Sequence, residues 1–259
     1  MTMRPLLLFS FILIAAGATA ARAERLVVSL SNHRVQITSN YVGEDLVLFG
    51  TVEPDPGKTT RPGGYDLVVT VTGPRQTFRA RRKSRVVGIW VNADSREFVR
   101  VPSYLAILGN RPFAEIADAD TRRRLQIGLD NFLLTQRIGA DFGDTVRDDP
   151  FRLAFVRLQG QQQLYYEIPN AITFLTPAVF RAAIPLPANA PTGSYRLDVK
   201  LFADGAQIAQ TNTALEVIKA GFEQYVAEAA VNKGFLYGLV TALMALCTGW
   251  LASVVFRRD

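Results

Sequence analysis

One histidine and one cysteine, His33 and Cys247, bound the chemistry open to this chain of 259 residues. Nucleophilic triads and zinc centres draw on histidine or on clustered cysteine. No ligand spacing surrounds His33, which reads as a polar residue of the turn Ser31-Asn32-His33. Asp141-Phe142-Gly143 spells the magnesium-binding tripeptide of protein kinases. No glycine-rich loop or catalytic-loop pattern accompanies it, so the match is a coincidence. Asp141, Asp144, Asp148 and Asp149 form an acidic cluster without the Asp-x-Asp-x-Asp-Gly spacing of a calcium loop, and read as a solvated loop. The inventory points away from an enzyme, and no metal or cofactor is expected.

The basic residues are more informative. Arg75, Arg79, Arg81, Arg82, Lys83 and Arg85 fall in a window with no acid between Leu67 and Ala93. On a strand, side chains alternate between faces, so Arg79, Arg81, Lys83 and Arg85 share one face. Such a row serves either as a charged edge that discourages pairing with another chain, or as a site for a small anion, an anionic lipid headgroup or an acidic partner.

Three regions must position these residues. Segments 26–30, 34–38, 45–52, 65–72, 78–85, 86–91 and 97–101 are short and rich in β-branched residues, with breaks at 53–57 and Gly73-Pro74, and are expected to be strands. In 112–165 the period changes. Leu125, Leu129, Phe132, Leu133 and Gln136 recur at helical spacing, which predicts an amphipathic helix over 121–137 with Thr121 as N-cap. Asp149-Pro150 opens a second helix running to about Gln159. Strands return at 171–175, 179–184, 195–202 and 208–218, with a hairpin signal at Asp204-Gly205. Tyr195 follows a turn at the start of a strand, where immunoglobulin-like sandwiches place a tyrosine that bonds back to the corner. The expected fold is mainly β: one immunoglobulin-like β-sandwich made of 24–111 and 166–219, split by a helical insertion at 112–165. Two separate small β domains are the alternative.

The ends of the chain place this body. Residues 234–256 carry no charge. As a helix they would reach about 34 Å, enough to cross a hydrocarbon core of about 30 Å. Gly234, Gly238 and Ala242, then Ala245, Gly249 and Ser253, are spaced by four, a pattern of small residues that lets a second transmembrane helix approach. Phe222, Tyr225, Val226, Ala229 and Ala230 predict an amphipathic helix over 220–233, with Glu223 and Glu228 on its other face, that enters the membrane or lies on it. Residues 1–23 read as a signal peptide, with Arg4, an apolar run over 6–16 and Ala21-Arg22-Ala23 as cleavage site. The body is then expected in the periplasm, with Arg257, Arg258 and Asp259 on the cytoplasmic side of an inner membrane. Residues 24–232 hold 24 Lys+Arg and 22 Asp+Glu, so the overall +6 belongs mostly to the flanks and no nucleic-acid partner is expected. Without cysteine the body has no disulfides, and its length buries a core unaided.

The chain resembles a family of uncharacterised alphaproteobacterial transmembrane proteins. The resemblance lies in GEDLVLFG (43–50), VTGPR (71–75), RRKSRVVGIWVN (81–92), VPSYLAI (101–107), FRAAIPLPANAPTGSY (180–195) and YGLVTALMALCTGWLASVVFRRD (237–259). It implies a bacterial inner-membrane protein with a periplasmic body, and no catalytic residues. Members encoded beside sulfite-exporter-type permeases imply an accessory role to an anion permease, reached through the transmembrane helix.

Overall fold

The computed structural model describes residues 24–54, 63–138 and 140–255. The expected signal peptide at 1–23, part of the break at 53–57, and the terminal residues 257–259 lie outside the described residues. In chain order the elements are β1 (Arg25–Leu30), β2 (Arg34–Ile37), β3 (Gly43–Glu53), β4 (Asp66–Thr72), β5 (Arg75–Val86), β6 (Ile89–Pro102) and β7 (Leu105–Gly109). Then come α1 (Phe113–Ile116), α2 (Ala119–Arg124), β8 (Thr135–Ile138), β9 (Asp141–Asp144) and α3 (Pro150–Gln161). The chain continues with β10 (Tyr165–Ile168), β11 (Ile172–Phe174), β12 (Val179–Pro187), β13 (Gly193–Ala203), β14 (Ala206–Lys219), α4 (Phe222–Asn232) and α5 (Gly234–Val255).

The strands form three sheets. One runs β1-β3-β12-β11, and a second runs β10-β7-β4-β13-β14-β2. Pairing is antiparallel except at β10/β7 and β14/β2. Strands from before and after 112–165 hydrogen-bond in the same sheets: β12 lies along β3 from Val179↔Thr51 to Pro187↔Gly43, and β13 along β4. Alternation along β3, β12 and β13 turns Leu46, Leu48, Phe180, Ile184, Leu197, Val199 and Leu201 into one buried cluster. β4 and β7 lie in the interior of the second sheet and are buried on both faces, which matches their continuous apolar runs LVV and LAIL. Each of these large aliphatic side chains contributes about 1.5–3 kcal/mol by burial.

Two hairpins show where turn chemistry sets the register. Asp204 and Gly205 both have positive φ, 51° and 79°, the two-residue turn that joins β13 to β14. Val87 and Gly88 repeat it at 48° and 84° between β5 and β6. Residues 78–101, read from sequence as three strands, are therefore the arms of one long hairpin, with the turn inside the predicted strand 86–91. Tyr195 is fully buried and its hydroxyl donates to the Pro191 carbonyl at 2.7 Å, tying β13 to the preceding turn.

The predicted helix over 121–137 is shorter and starts earlier. Asp118, not Thr121, is the N-cap: its carboxylate accepts from the Thr121 amide at 2.7 Å. After Arg124 the backbone closes in a Schellman pattern, with the Gln126 amide donating to the Arg123 carbonyl and the Ile127 amide to that of Arg122. Gln126 holds the left-handed position at φ 55°. Leu125, Leu129 and Phe132 still pack on the core, but from a loop, and Gln136 lies buried on β8. The second helix is as expected: Asp149 accepts from the Phe151 and Arg152 amides ahead of Pro150.

The third sheet runs β5-β6-β8-β9. It absorbs most of the predicted acidic loop, since Asp141 and Asp144 lie on β9 and Asp149 caps α3. α4 ends at Asn232, and its C-cap Lys233, with φ of −132° and ψ of 43°, separates it from α5, so the two helices are not one continuous rod. The side chains of Phe222, Glu223 and Glu228, used to predict the faces of α4, lie outside the described residues.

Candidate functional site

β5 is the edge strand of the third sheet. Its even-numbered residues turn toward the body: Phe78 and Ala80 pack on the core, and the rings of Phe78 and Phe155 lie 5.5 Å apart. Arg82 follows on that side, ion-paired with Asp94 and 5.8 Å above the Phe151 ring. The odd-numbered residues Arg79, Arg81, Lys83 and Arg85 are all exposed on the other face. The bulge between Arg82 and Lys83 leaves this row unbroken, because the skipped residue, Ala93, is on β6. Glu97 sits across from Arg79 but is paired with Arg137 at 3.1 Å. Among the described residues, Arg79, Arg81 and Lys83 make no side-chain hydrogen bond or ion pair, and Arg85 donates only to the Gly88 carbonyl at 3.3 Å. The four predicted cations are thus brought together as an open row, not around a pocket.

The row leads to a feature that the sequence reading assigned to a strand. Between 81 and 95 every residue but Ser84 and Val91 is exposed, so beyond Arg82, which still reaches the Phe151 ring, both arms stand clear of the body. Four residues of β5, Lys83 to Val86, correspond to about 13 Å. At the end, Val86, Val87, Ile89 and Trp90 are 49%, 97%, 66% and 68% exposed. Trp90 lies across from Arg85 and so shares the cationic face, while Val86 and Ile89 pair on the opposite one.

A second polar concentration lies beside α3. Arg152 is buried, and its guanidinium donates to the carbonyls of Leu129 (2.9 Å), Asp130 (3.2 Å) and Phe132 (2.9 Å) and to the Thr145 hydroxyl (3.4 Å). Burial lowers its pKa from the usual arginine value. Arg123, Asn131 and Arg147 line the same open depression of about 340 Å³. Because three of its four hydrogen bonds go to main-chain carbonyls, Arg152 holds the loop that replaces the predicted helix. Sequence reasoning missed this role, since an arginine on the buried face of a helix carries no local signal. His33 is exposed, and its carbonyl accepts from the Glu216 amide at 2.9 Å. No three His, Cys, Asp or Glu side chains among the described residues are placed to hold a metal ion.

α5 is long and apolar enough to cross a membrane over Gly234–Val254, and every side chain in that span is exposed. Gly234, Gly238, Ala242, Ala245, Gly249 and Ser253 follow steps of four, four, three, four and four, a single slowly drifting stripe on the helix. A methyl group added at Gly234, Gly238 or Gly249 would meet nothing within 4 Å. Thr241 and Thr248 return their hydroxyls to carbonyls one turn back, so neither exposes an unmet donor along the apolar surface.

Residues 25–258 match the family described as "Putative transmembrane protein (Alph_Pro_TM)". The chain belongs to this family. Membership covers both the β body and α5, in agreement with the resemblance read from the sequence. No curated protein matches the chain. Among solved structures, the transmembrane-family chain is similar to the N-terminal domain of the Streptococcus gordonii adhesin Sgo0707, at 8% identity and a TM-score of 0.26. That match covers 74% of this chain and 32% of the other, so the chain spans about a third of that structure's length.

Proposed function

We propose that the protein is a membrane-anchored, non-enzymatic interaction module. α5 spans an inner membrane, and the body is carried on the periplasmic side. The observation that carries this reading is the bare helix: Gly234–Val254 is uncharged, long enough to span, and buries no side chain against the body. A helix of that kind is stable only where lipid or another helix covers it. The leader expected at 1–23 supports the orientation. The body is an immunoglobulin-like sandwich on this reading. In its support, the order β1-β3-β12-β11 matches strands A-B-E-D and β14-β13-β4-β7 matches G-F-C-C′, while β10 adds a parallel edge strand outside that pattern. Tyr195 takes the place of the corner tyrosine of strand F.

The partner on this reading is an integral membrane protein docked on the small-residue stripe, with an anion permease of the sulfite-exporter type as the member of that class implied by the family resemblance. Crosslinking and pull-down from native membranes test it. Replacing Gly234 and Gly238 by leucine places branched side chains on the stripe, and the partner should be lost while membrane insertion persists. An unchanged set of co-purifying membrane proteins contradicts the docking.

A second reading is favoured by the unpaired cations. Arg79, Arg81, Lys83 and Arg85 bind a small anion or anionic headgroups on the open face of β5. Glutamine at all four positions should abolish retention on an anionic matrix, and unchanged retention contradicts the reading.

A further inference from the structure

We infer that the tip of the β5–β6 hairpin inserts into the interfacial layer of an anionic phospholipid bilayer, with Val86, Val87, Ile89 and Trp90 entering the interface and Arg81, Lys83 and Arg85 contacting lipid phosphates. The inference rests on the membrane anchoring proposed above, which brings a bilayer within the hairpin's surroundings. Three observations converge on it.

The first is exposure. Four large apolar side chains surround Gly88 at the end of a projecting arm, and none is covered by the body. A two-stranded arm has no core of its own, so these residues do not stabilise the fold.

The second is backbone conformation. Val87 sits at φ 48°, where a β-branched residue is strongly disfavoured and where two-residue turns ordinarily carry asparagine or aspartate before glycine. Valine adds strain there and, at 97% exposure, returns no packing. Strain held without a structural return is characteristic of positions that serve a function.

The third is charge. Residues 81–95 carry four cations and one acid, Asp94, which is engaged by Arg82 on the opposite face. The face that holds Trp90 is therefore purely cationic along Arg81, Lys83 and Arg85. Tryptophan prefers the membrane–water interface, and arginine and lysine just outside it are drawn to anionic lipid. The tip is two strands wide and its large apolar side chains are exposed, which suits a deformable lipid surface better than the shaped surface of a folded partner.

The test uses the full chain carrying Trp250→Phe, which leaves Trp90 as its tryptophan. The protein is reconstituted in vesicles of phosphatidylcholine, or of phosphatidylcholine with phosphatidylglycerol, containing a lipid quencher at headgroup depth. Trp90 emission should shift to the blue and be quenched in the anionic vesicles and much less in the neutral ones. Val87→Asn suits the turn and keeps the hairpin, yet should lose the quenching. Glutamine at Arg81, Lys83 and Arg85 should weaken insertion about fivefold per cation removed. Placing the quencher only in added protein-free vesicles separates the two sources of the bilayer: quenching there means a facing membrane, and quenching only in the host vesicle means the membrane that α5 spans. Either supports the inference. Identical unquenched Trp90 emission in neutral and anionic vesicles overturns it, as does crosslinking of the tip to a protein with no lipid quenching. Resistance to alkaline extraction from neutral vesicles reads the anchoring separately. Protein that is retained there but unquenched in anionic vesicles refutes the insertion and leaves the anchor standing.

Discussion

Gly50 on β3 and Phe180 on β12 face each other across the first sheet, and they join a strand read early in the chain to one read late. A methyl group built on Gly50 would lie 2.7 Å from Phe180 Cε1, closer still to Cζ, and 2.9 Å from the Val27 carbonyl oxygen. The ring cannot yield freely, because Phe180 is fully buried and lies 6.0 Å from the Phe174 ring. Gly50→Ala should therefore cost about 1–3 kcal/mol by overpacking, offset by about 0.5–1 kcal/mol from replacing glycine inside a strand. Phe180→Ala alone should cost about 3–5 kcal/mol. In the Phe180→Ala background the clash with the ring is gone while the contact with the Val27 carbonyl oxygen stays, so the cost of the methyl should fall without vanishing. The double variant should then exceed the sum of the singles in stability by about 1–2 kcal/mol. Denaturant unfolding in mild detergent, followed by circular dichroism, measures all four proteins. Additivity within about 0.5 kcal/mol would refute the contact, and with it the pairing of β3 and β12 in this register.

Asp149→Ala removes the cap of α3 and the partner 3.7 Å from Arg96, and should lower stability by about 1–2 kcal/mol, read as a fall in the unfolding midpoint. Tyr195→Phe deletes the hydroxyl that donates to Pro191, and should cost about 1 kcal/mol while raising hydrogen exchange in the 191–195 turn. The Asp118 carboxyl is held below the usual carboxylate range by the hydrogen bonds from Thr121. A carboxyl with a depressed folded-state pKa stabilises above its unfolded value and loses that contribution as pH falls through the folded one. The start of α2 should thus fray below about pH 4, seen as loss of Thr121 amide protection, and Asp118→Asn should remove the pH dependence.

Most strands of the body were legible because alternation and turn residues coincide along them, but β7, β8, β9 and β10 were not read as strands, and β8 falls partly within the predicted helix. Asp204-Gly205, Asp149-Pro150 and the tyrosine after Pro191 each carry a mechanism in a few residues, and each is found in the structure. The predicted helix over 121–137 failed because helical spacing of apolar residues reports only that they reach the core. Leu125, Leu129 and Phe132 do reach it, from a loop. The stop signal was hidden in Gln126, a residue type with no marked preference for the left-handed position it occupies. The β5–β6 turn was hidden in the same way, since Val87-Gly88 reads as part of an apolar run. The basic row of β5 was visible by alternation alone. The apolar tip beside it was not, because exposure of Trp90 is a property of the hairpin's projection and leaves no mark in local sequence. The helix α5 needed only length and the absence of charge.

On the proposed reading α5 holds an exported body at the membrane. Cysteine labelling of spheroplasts tests it most directly. With Cys247→Ala as background and Gln161→Cys as an exposed probe at the end of α3, a membrane-impermeant maleimide should label intact spheroplasts as fully as lysed ones. Labelling that appears only after lysis would place the body in the cytoplasm and contradict the account.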